Sequence, residues 1–141
     1  TEVTTVDLSN TYLSWASENM NLNGFTDPAM FRFVQADVKQ YLGTLPSGYF
    51  DLIVMDPPTF SNSQRMKDVL DIQRDHAVLI NECIRIMKKG GLLYFSTNYT
   101  RFVLEKEKIQ HASVKDITKA TTAFDFEGTS TRYCFLFNKD D

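Results

Sequence analysis

The stretch Phe50-Asp51-Leu52-Ile53-Val54-Met55-Asp56-Pro57-Pro58-Thr59-Phe60 decides the fold. Its apolar run from Leu52 to Met55, together with Phe50, is typical of a strand buried on both faces of a parallel sheet. The run ends at Asp56, and the two prolines that follow cannot continue the hydrogen-bonded ladder. In an open α/β sheet, ligands bind beyond the carboxyl ends of the strands. The stretch therefore predicts a rigid acidic turn at a ligand-binding edge, although a strand that simply stops at a Pro-Pro loop would look the same.

Predicted strands and helices alternate on both sides of this stretch. The predicted strands are 4–6, 31–34, 50–55, 92–95, 114–117 and 133–137. The predicted helices begin after Ser9 or Asn10 and at residues 38, 71 and 102, and they end near residues 21, 42, 89 and 109. This alternation predicts one α/β domain with a doubly wound, Rossmann-like sheet, mostly parallel with an antiparallel C-terminal strand.

The composition is that of an ordinary globular protein. Of the 141 residues, 43% are hydrophobic, and we find neither a run long enough for a membrane span nor a secretory signal. The net charge of −3 disfavours a self-sufficient nucleic-acid-binding module, so other domains would supply much of the phosphate contact in an RNA enzyme. Cys83 and Cys134 lack metal-ligand spacing and fit buried thiols, which predicts a cytoplasmic protein with no metal site.

Three successive predicted strands each end at an aspartate, namely Asp7, Asp37 and Asp56. The carboxyl ends of parallel strands lie along one edge, so these carboxylates would line one crevice. An acid after the second strand of a dinucleotide-type fold accepts hydrogen bonds from ribose, and an acid one strand further out can accept from the adenine amine. Each aspartate alone could equally cap a helix. Together they favour a site for a nucleoside cofactor.

The glycine-rich turn that follows the first strand of such a fold has no counterpart in this sequence. The six glycines stand at positions 24, 43, 48, 90, 91 and 128, without a G-x-G-x-x-G arrangement. The first predicted strand instead fits the second strand of the fold. We therefore expect the first βα unit, with its glycine loop, to lie upstream of residue 1.

Several motifs together resemble those of class I S-adenosylmethionine-dependent methyltransferases: Asp7, Asp37, Asp56-Pro57-Pro58 and Gly90-Gly91. Residues 6–16, 53–63 and 71–76 resemble, more closely, the C-terminal guanine-N7 methyltransferase half of the bacterial fused large-subunit ribosomal RNA methyltransferases. The resemblance covers nearly the whole chain. Its most specific parts are the runs D-P-P-T-F-S-N-S and Q-R-D-H, the second of which ends at His76.

The resemblance implies S-adenosylmethionine as the cofactor and large-subunit ribosomal RNA as the partner, with upstream domains on the same polypeptide. Asp7 would hold the ribose, Leu8 would pack on the adenine, and Asp37 with Val38 would contact the adenine edge. The residues that would sit between the sulfonium methyl and the target base are Asp56, Pro57, Pro58 and Phe60. The candidate substrate contacts are Thr59, Asn62, Arg65, Lys67, Asn98 and Arg101.

If guanine N7 is the acceptor, its lone pair is already available, so catalysis is mostly positioning, which can contribute roughly 7–11 kcal/mol. The target base must first leave its stack. Cytosine-C5 methylation would need a cysteine nucleophile, yet Ser96-Thr97-Asn98 follow the fourth predicted strand and neither cysteine lies on a crevice loop. Two alternatives stay open: methylation of an exocyclic amine of a nucleobase, and a non-catalytic RNA-binding scaffold. His76 fits a structural hydrogen-bonding role better than that of a general base.

Overall fold

The computed structural model describes residues 1–61, 70–126, 128 and 132–140, without the side chains of Phe60 and Ser61. The chain divides into two compact units, residues 1–44 and residues 45–141. Parallel strand pairs connected by helices occur in both units, and an antiparallel strand follows near the C-terminus. The predicted α/β class is therefore confirmed.

The first unit is a parallel βαβ arrangement followed by a short helix. Its elements are β1 (Val3–Asp7), α1 (Asn10–Leu22), β2 (Phe31–Gln35) and α2 (Val38–Thr44). β1 and β2 pair in parallel up to Asp7, which lies opposite Gln35. Ser9 caps α1 because its side chain accepts the Tyr12 N–H, as predicted, and Gly24 follows the helix with a φ of +81°. Both strands consequently end at the same edge of this unit.

The second unit is built on a four-stranded mixed sheet. The elements are β3 (Phe50–Met55), β4 (Phe60–Ser61), β5 (Leu70–Asp71), α3 (Ile72–Ile86), β6 (Met87–Thr97), β7 (Ala112–Asp116), α4 (Thr118–Thr121) and β8 (Tyr133–Lys139). The strand order of the sheet is β3-β6-β8-β7, in which β3 and β6 are parallel and β8 is antiparallel to both of its neighbours. Two-residue strands β4 and β5 form a separate antiparallel pair.

The core of the second unit lies between α3 and one face of this sheet. The apolar positions of α3 recur at helical spacing, so one stripe of the helix meets the sheet. Each fully buried large apolar side chain contributes about 1.5–3 kcal/mol of transfer free energy. The central members, all at most 1% exposed, are Leu79, Ile80, Cys83, Leu93, Phe95 and Phe137.

The predicted end of the third helix is wrong. We expected the helix to reach Lys89, whereas α3 ends at Ile86 and Met87 is already extended. Met87 pairs with Phe50 of β3, and the next paired residue of β6 is Leu92, so residues 88–91 form a bulge. Within the bulge, Lys88 Nζ lies 2.9 Å from both carboxylate oxygens of Asp51. The pairing with a distant strand therefore overrides the local helical pattern.

The predicted helix over residues 102–109 is also wrong. The structure has only a short 3₁₀ turn there, Lys106–Lys108. The preceding backbone is instead bracketed by one side chain of α3: Gln73 Nε2 donates to Val103 O, and Val103 N donates to Gln73 Oε1, each at 2.9 Å. A side-chain amide thus replaces the intrahelical hydrogen bonds that this segment would otherwise form.

Burial of the central strand on both faces is a further expectation that the structure contradicts. Leu52 is 53% exposed and Val54 72% exposed, although Met55 is buried. Leu92 and Tyr94 of β6, which pair with them, are half-buried. In the described part of the chain β3 is an edge strand. The face of the sheet that carries Leu52 and Val54 is opposite to the face that packs against α3. One face of β3 therefore carries exposed apolar side chains.

Candidate active site

Asp56 lies at the carboxyl end of β3, next to the carboxyl end of the parallel strand β6. The strands pair Met55 with Phe95, so Asp56 and Ser96 are the next residues on each strand. The Ser96 hydroxyl donates a hydrogen bond of 2.6 Å to Asp56 Oδ1. That distance falls in the range of charge-assisted O–H···O⁻ bonds, which are roughly twice as strong as neutral ones. An exposed carboxylate is therefore held by a side chain from the neighbouring strand.

The turn after Asp56 is tied to the start of α3. Thr59 O accepts the Ile72 N–H at 3.2 Å, and Phe60 pairs with Asp71 in the β4–β5 ladder. Asp71 in turn caps α3 by accepting the Arg74 N–H at 3.2 Å. The predicted catalytic residues are Asp56, Pro57, Pro58 and Phe60. Their turn is thus hydrogen-bonded to the start of a capped helix, while the ring of Phe60 lies outside the described atoms.

The loop after β6 presents two of the predicted substrate contacts. Asn98 and Arg101 are both exposed. Between them the backbone makes a turn in which Phe102 N donates to Tyr99 O at 3.1 Å. Phe102 itself is 5% exposed, and its ring contacts those of His76, Phe95, Tyr133 and Phe135, with centroid distances of 4.9–6.0 Å. The two polar side chains consequently stand on a loop that is anchored in the core.

His76 has the structural role that the sequence favoured. The side chain is fully buried, and its Nδ1 lies 2.9 Å from Gln73 O and 3.1 Å from Ile72 O, so this nitrogen carries the proton. Nε2 then accepts the Glu105 N–H at 3.2 Å. Both ring nitrogens are used to fasten the loop after β6 to α3, and a fully buried imidazole bonded in this way is a poor general base.

The predicted cofactor contacts lie at the carboxyl edge of the β1–β2 pair. Asp7 ends β1 and Asp37 follows β2. Asp7 Oδ1 accepts the Ser9 N–H at 2.6 Å, and Asp37 Oδ1 accepts the Lys39 N–H at 2.9 Å. Both are half-buried, as are Leu8 and Val38. Their adjacency within this unit agrees with the prediction, whereas a crevice shared with Asp56 stays a prediction.

Neither cysteine is available as a nucleophile. Cys83 is completely buried, and burial, helped by the charge of Glu82, raises the pKa of its thiol to about 12. Cys134 is 3% exposed and lies within β8. A thiolate is the reactive form, so covalent attack on a pyrimidine ring has no candidate residue.

Three predicted substrate contacts, Asn62, Arg65 and Lys67, lie outside the described residues. Among the residues that the structure does describe, no three His, Cys, Asp or Glu side chains form a cluster suited to a metal ion. No helix in the same part of the chain is long and apolar enough to cross a bilayer.

A cavity of about 410 Å³ lies at the opposite end of the sheet, where β6 begins and β8 ends. Its lining includes Arg85, His111 and Lys139. Lys139 Nζ donates to the backbone oxygens of Arg85 and Met87 at the end of α3, which suits a helix C-terminus. The lysine in this cavity therefore stabilises the end of α3, and the cavity is separate from the site at Asp56.

Sequence reasoning did not identify the contacts made by Ser96 and Gln73. Ser96 is not the cysteine that cytosine-C5 methylation would need, yet its position one residue beyond a predicted buried strand is itself a usable signal. Gln73 belongs to the specific Q-R-D-H run, but its partner Val103 is 30 residues away. Contacts of that kind depend on pairing that a single sequence does not reveal.

The family model and the most similar relatives that were compared are all methyltransferases. Residues 1–95 match the model of a methyltransferase domain family. The chain is 49% identical over 133 residues to the ribosomal RNA large subunit methyltransferase K of Neisseria meningitidis, covering 93% of this chain and 37% of that protein. It is 51% identical over 124 residues to the ribosomal RNA large subunit methyltransferase K/L of Hahella chejuensis, covering 88% of this chain and 17% of that protein. The chain therefore spans much less than the full length of these relatives.

A solved structure shares the fold at lower sequence identity. It is a candidate methyltransferase crystallised with S-adenosylhomocysteine, with a TM-score of 0.73 and 23% identity. The superposition covers 97% of this chain and 39% of that one. The similarity supports the predicted Rossmann-like α/β fold.

Proposed function

Because the chain belongs to the class I S-adenosylmethionine-dependent methyltransferases, we propose that it transfers the methyl group of S-adenosylmethionine to N7 of a guanine in large-subunit ribosomal RNA. The observation that carries the proposal is the Asp56-Pro57-Pro58 turn beside Ser96, at the carboxyl end of two parallel strands. The names of the relatives support the ribosomal RNA substrate.

Methyl transfer to N7 needs a negative charge beside the base rather than a proton acceptor. The positive charge begins on the sulfonium and ends on the methylated guanine ring. A carboxylate on the base side is therefore stabilising more in the transition state than in the ground state, which is the condition for accelerating the step. Asp56 supplies that charge, and Pro57 and Pro58 stiffen the backbone that follows it. No step requires a base such as His76.

The cofactor would be held by the edge of the first unit. Asp7 would accept hydrogen bonds from the ribose hydroxyls, and Asp37 would accept from the adenine amine. Leu8 would pack on the adenine ring and Val38 would contact its edge, and both are half-buried beside these aspartates. Each aspartate uses Oδ1 for a local backbone N–H, and a carboxylate has about four acceptor positions, so the cofactor can bind at the same time.

The RNA would be contacted by the loops on either side of Asp56. Asn98 and Arg101 stand on the anchored loop after β6, and Thr59 lies on the turn after Asp56. Asn62, Arg65 and Lys67 continue that turn in the sequence. The net charge of the chain is −3, so other domains of a longer polypeptide would supply further phosphate contacts.

We also propose that the open edge of β3 pairs with a parallel strand of a longer polypeptide. Leu52 and Val54 expose apolar surface on a parallel strand, and parallel sheets are normally covered on both faces. A preceding strand and helix, with the glycine turn that this sequence lacks, would cover that face and complete the cofactor site. The proposal agrees with the greater length of the relatives.

Mapping methylated nucleosides tests the acceptor. Ribosomal RNA from cells that carry only the Asp56→Ala form of the full-length protein should lack one N7-methylguanine that wild-type cells contain. Cells carrying Asp51→Ala should keep this mark, because Asp51 lies on the same strand but only forms an exposed ion pair with Lys88. Loss of an N-methylated exocyclic amine instead, with all N7-methylguanine intact, would establish the alternative acceptor.

Calorimetric titration with S-adenosylmethionine tests the strand proposal. The residue 1–141 chain should bind weakly, and a chain extended upstream by one βα unit should bind in the micromolar range. Equal binding by the two chains would contradict the open-edge proposal. Absence of binding by both, and by the full-length protein, would instead favour a scaffold that binds RNA without catalysis.

A further inference from the structure

We propose that Ser96 is a positioning residue for methyl transfer, acting through the carboxylate of Asp56; the inference rests on the proposed function. Its hydroxyl would hold Asp56 Oδ1 so that the negative charge faces the base at the moment when the ring becomes cationic. Ser96 itself would contact neither the cofactor nor the base. The suitable substrates are nucleobases whose ring nitrogen acquires positive charge on methylation.

The pairing of the strands brings the two side chains together. β3 and β6 are in register at Met55 and Phe95, and the residues that follow share a face because side chains alternate along a strand. Ser96 is half-buried in a strand that is paired on both sides. Its hydroxyl therefore starts from a rigid position, which a loop residue would not provide.

The two prolines remove the usual partner of an aspartate at this position. Among the described residues, other aspartates accept the backbone N–H of the residue two positions later, namely Asp7, Asp27, Asp37 and Asp116. At Asp56 that residue is Pro58, which has no N–H, and the intervening residue is also proline. The local turn that orients the other carboxylates cannot form. Ser96, donating at 2.6 Å from the neighbouring strand, takes its place.

Holding a carboxylate by one oxygen sets both its position and its plane. A hydroxyl donates a single hydrogen bond and the carboxylate offers about four acceptor positions, so the bond to Oδ1 leaves Oδ2 to interact with the base. Without the hydroxyl, the exposed Asp56 side chain would sample several rotamers and its charge would be solvated by water. The cost should appear in the chemical step, because positioning errors of about 1 Å reduce rates severely.

A double-mutant cycle on the full-length protein tests the inference. With ribosomal RNA from cells that lack the enzyme as the methyl acceptor, Ser96→Ala should lower kcat about tenfold while KM changes less than about twofold. Ser96→Thr, which keeps the hydroxyl, should recover most of the rate. In an Asp56→Ala background, which lacks the acceptor oxygen, Ser96→Ala should have no further effect. Ser113→Ala, an exposed serine in β7 of the same sheet, should behave like wild type.

Three results would overturn the inference: a Ser96→Ala enzyme with wild-type kcat, an undiminished effect of Ser96→Ala in the Asp56→Ala background, or failure of Ser96→Thr to recover the rate. A melting temperature for each variant separates these effects from unfolding. Should the wild-type protein methylate a different atom or no RNA at all, the proposed function fails. Crystal structures of wild-type and Ser96→Ala protein would then still decide whether Ser96 sets the Asp56 rotamer.

Discussion

Asp7 and Asp37 in the first unit and Asp56 in the second all stand where a strand ends, but they are bonded differently. Asp7 and Asp37 accept a backbone N–H from two residues later, at 2.6 and 2.9 Å. Asp56 accepts a hydroxyl from a neighbouring strand instead, because Pro57 and Pro58 offer no N–H. The comparison indicates that the prolines do more than stiffen the turn. They release the carboxylate from the local backbone and leave its orientation to the sheet.

Restoring the missing N–H is the strongest way to break this contrast. In Pro58→Ala, the new backbone N–H should capture the Asp56 carboxylate in the turn seen at Asp7, and kcat should fall about tenfold as the carboxylate leaves Ser96. Pro57→Ala is the matched control, because its N–H lies one residue too early for that turn. Methylation rates of the two full-length variants check the expectation. Equal methylation rates for Pro58→Ala and Pro57→Ala would mean that the missing N–H does not determine the orientation of the Asp56 carboxylate.

Removing the charge of Asp7 or Asp37 tests the other half of the comparison, the two aspartates that are bonded to the local backbone. Asp7→Asn and Asp37→Asn keep an oxygen that accepts the local N–H, so the free energy of unfolding should be unchanged. The affinity for S-adenosylmethionine should fall about fivefold, because hydrogen bonds to charged groups are stronger than neutral ones by about 1 kcal/mol. Calorimetry on the full-length protein measures the affinity. Asp27→Asn has the same local turn and no proposed cofactor contact, so it should bind normally. A weaker affinity in that control would assign the loss to the turn.

The smallest expected effect concerns the pH dependence of stability at Asp116, which forms the same kind of turn with Thr118. Hydrogen bonds from the Thr118 side chain and backbone lower the pKa of Asp116 below its ordinary value of 3.8. A depressed carboxyl pKa stabilises the fold above pH 3.8, and that contribution disappears as the pH falls through the folded-state pKa. Asp116→Asn should therefore lower the unfolding free energy by less than about 1 kcal/mol at pH 6, since the group is exposed. The difference should vanish in the most acidic urea titrations, and a constant difference would contradict the assignment.

The sequence predicted the ends of β3 and α1 well because those ends depend on local chemistry, whereas the predicted strand 92–95 is only part of β6, Met87–Thr97. An apolar run closed by an acid and two prolines defines β3, and Ser9 and Gly24 define the ends of α1. The errors arose where distant residues decide the conformation. Met87 leaves α3 because it pairs with Phe50, and residues 102–109 are not helical, with Gln73 bracketing the backbone at Val103.

The same limit explains the part of the site that was not foreseen. Asp7, Asp37 and Asp56 were identified because an acid after a strand is visible in the sequence itself. Ser96 lies 40 residues after Asp56, and only the register of two parallel strands makes it a neighbour. The exposure of Leu52 and Val54 was likewise unforeseen, because a single sequence does not state which strand lies at an edge.

The kcat of the Asp56→Asn enzyme tests the central claim most directly, measured on the full-length protein with unmethylated ribosomal RNA and saturating S-adenosylmethionine. If Asp56 is the carboxylate that stabilises the methylated base, kcat should fall about 100-fold, whereas Asp51→Asn on the same strand should match wild type. A kcat for Asp56→Asn within twofold of wild type would show that the chemistry does not depend on this carboxylate.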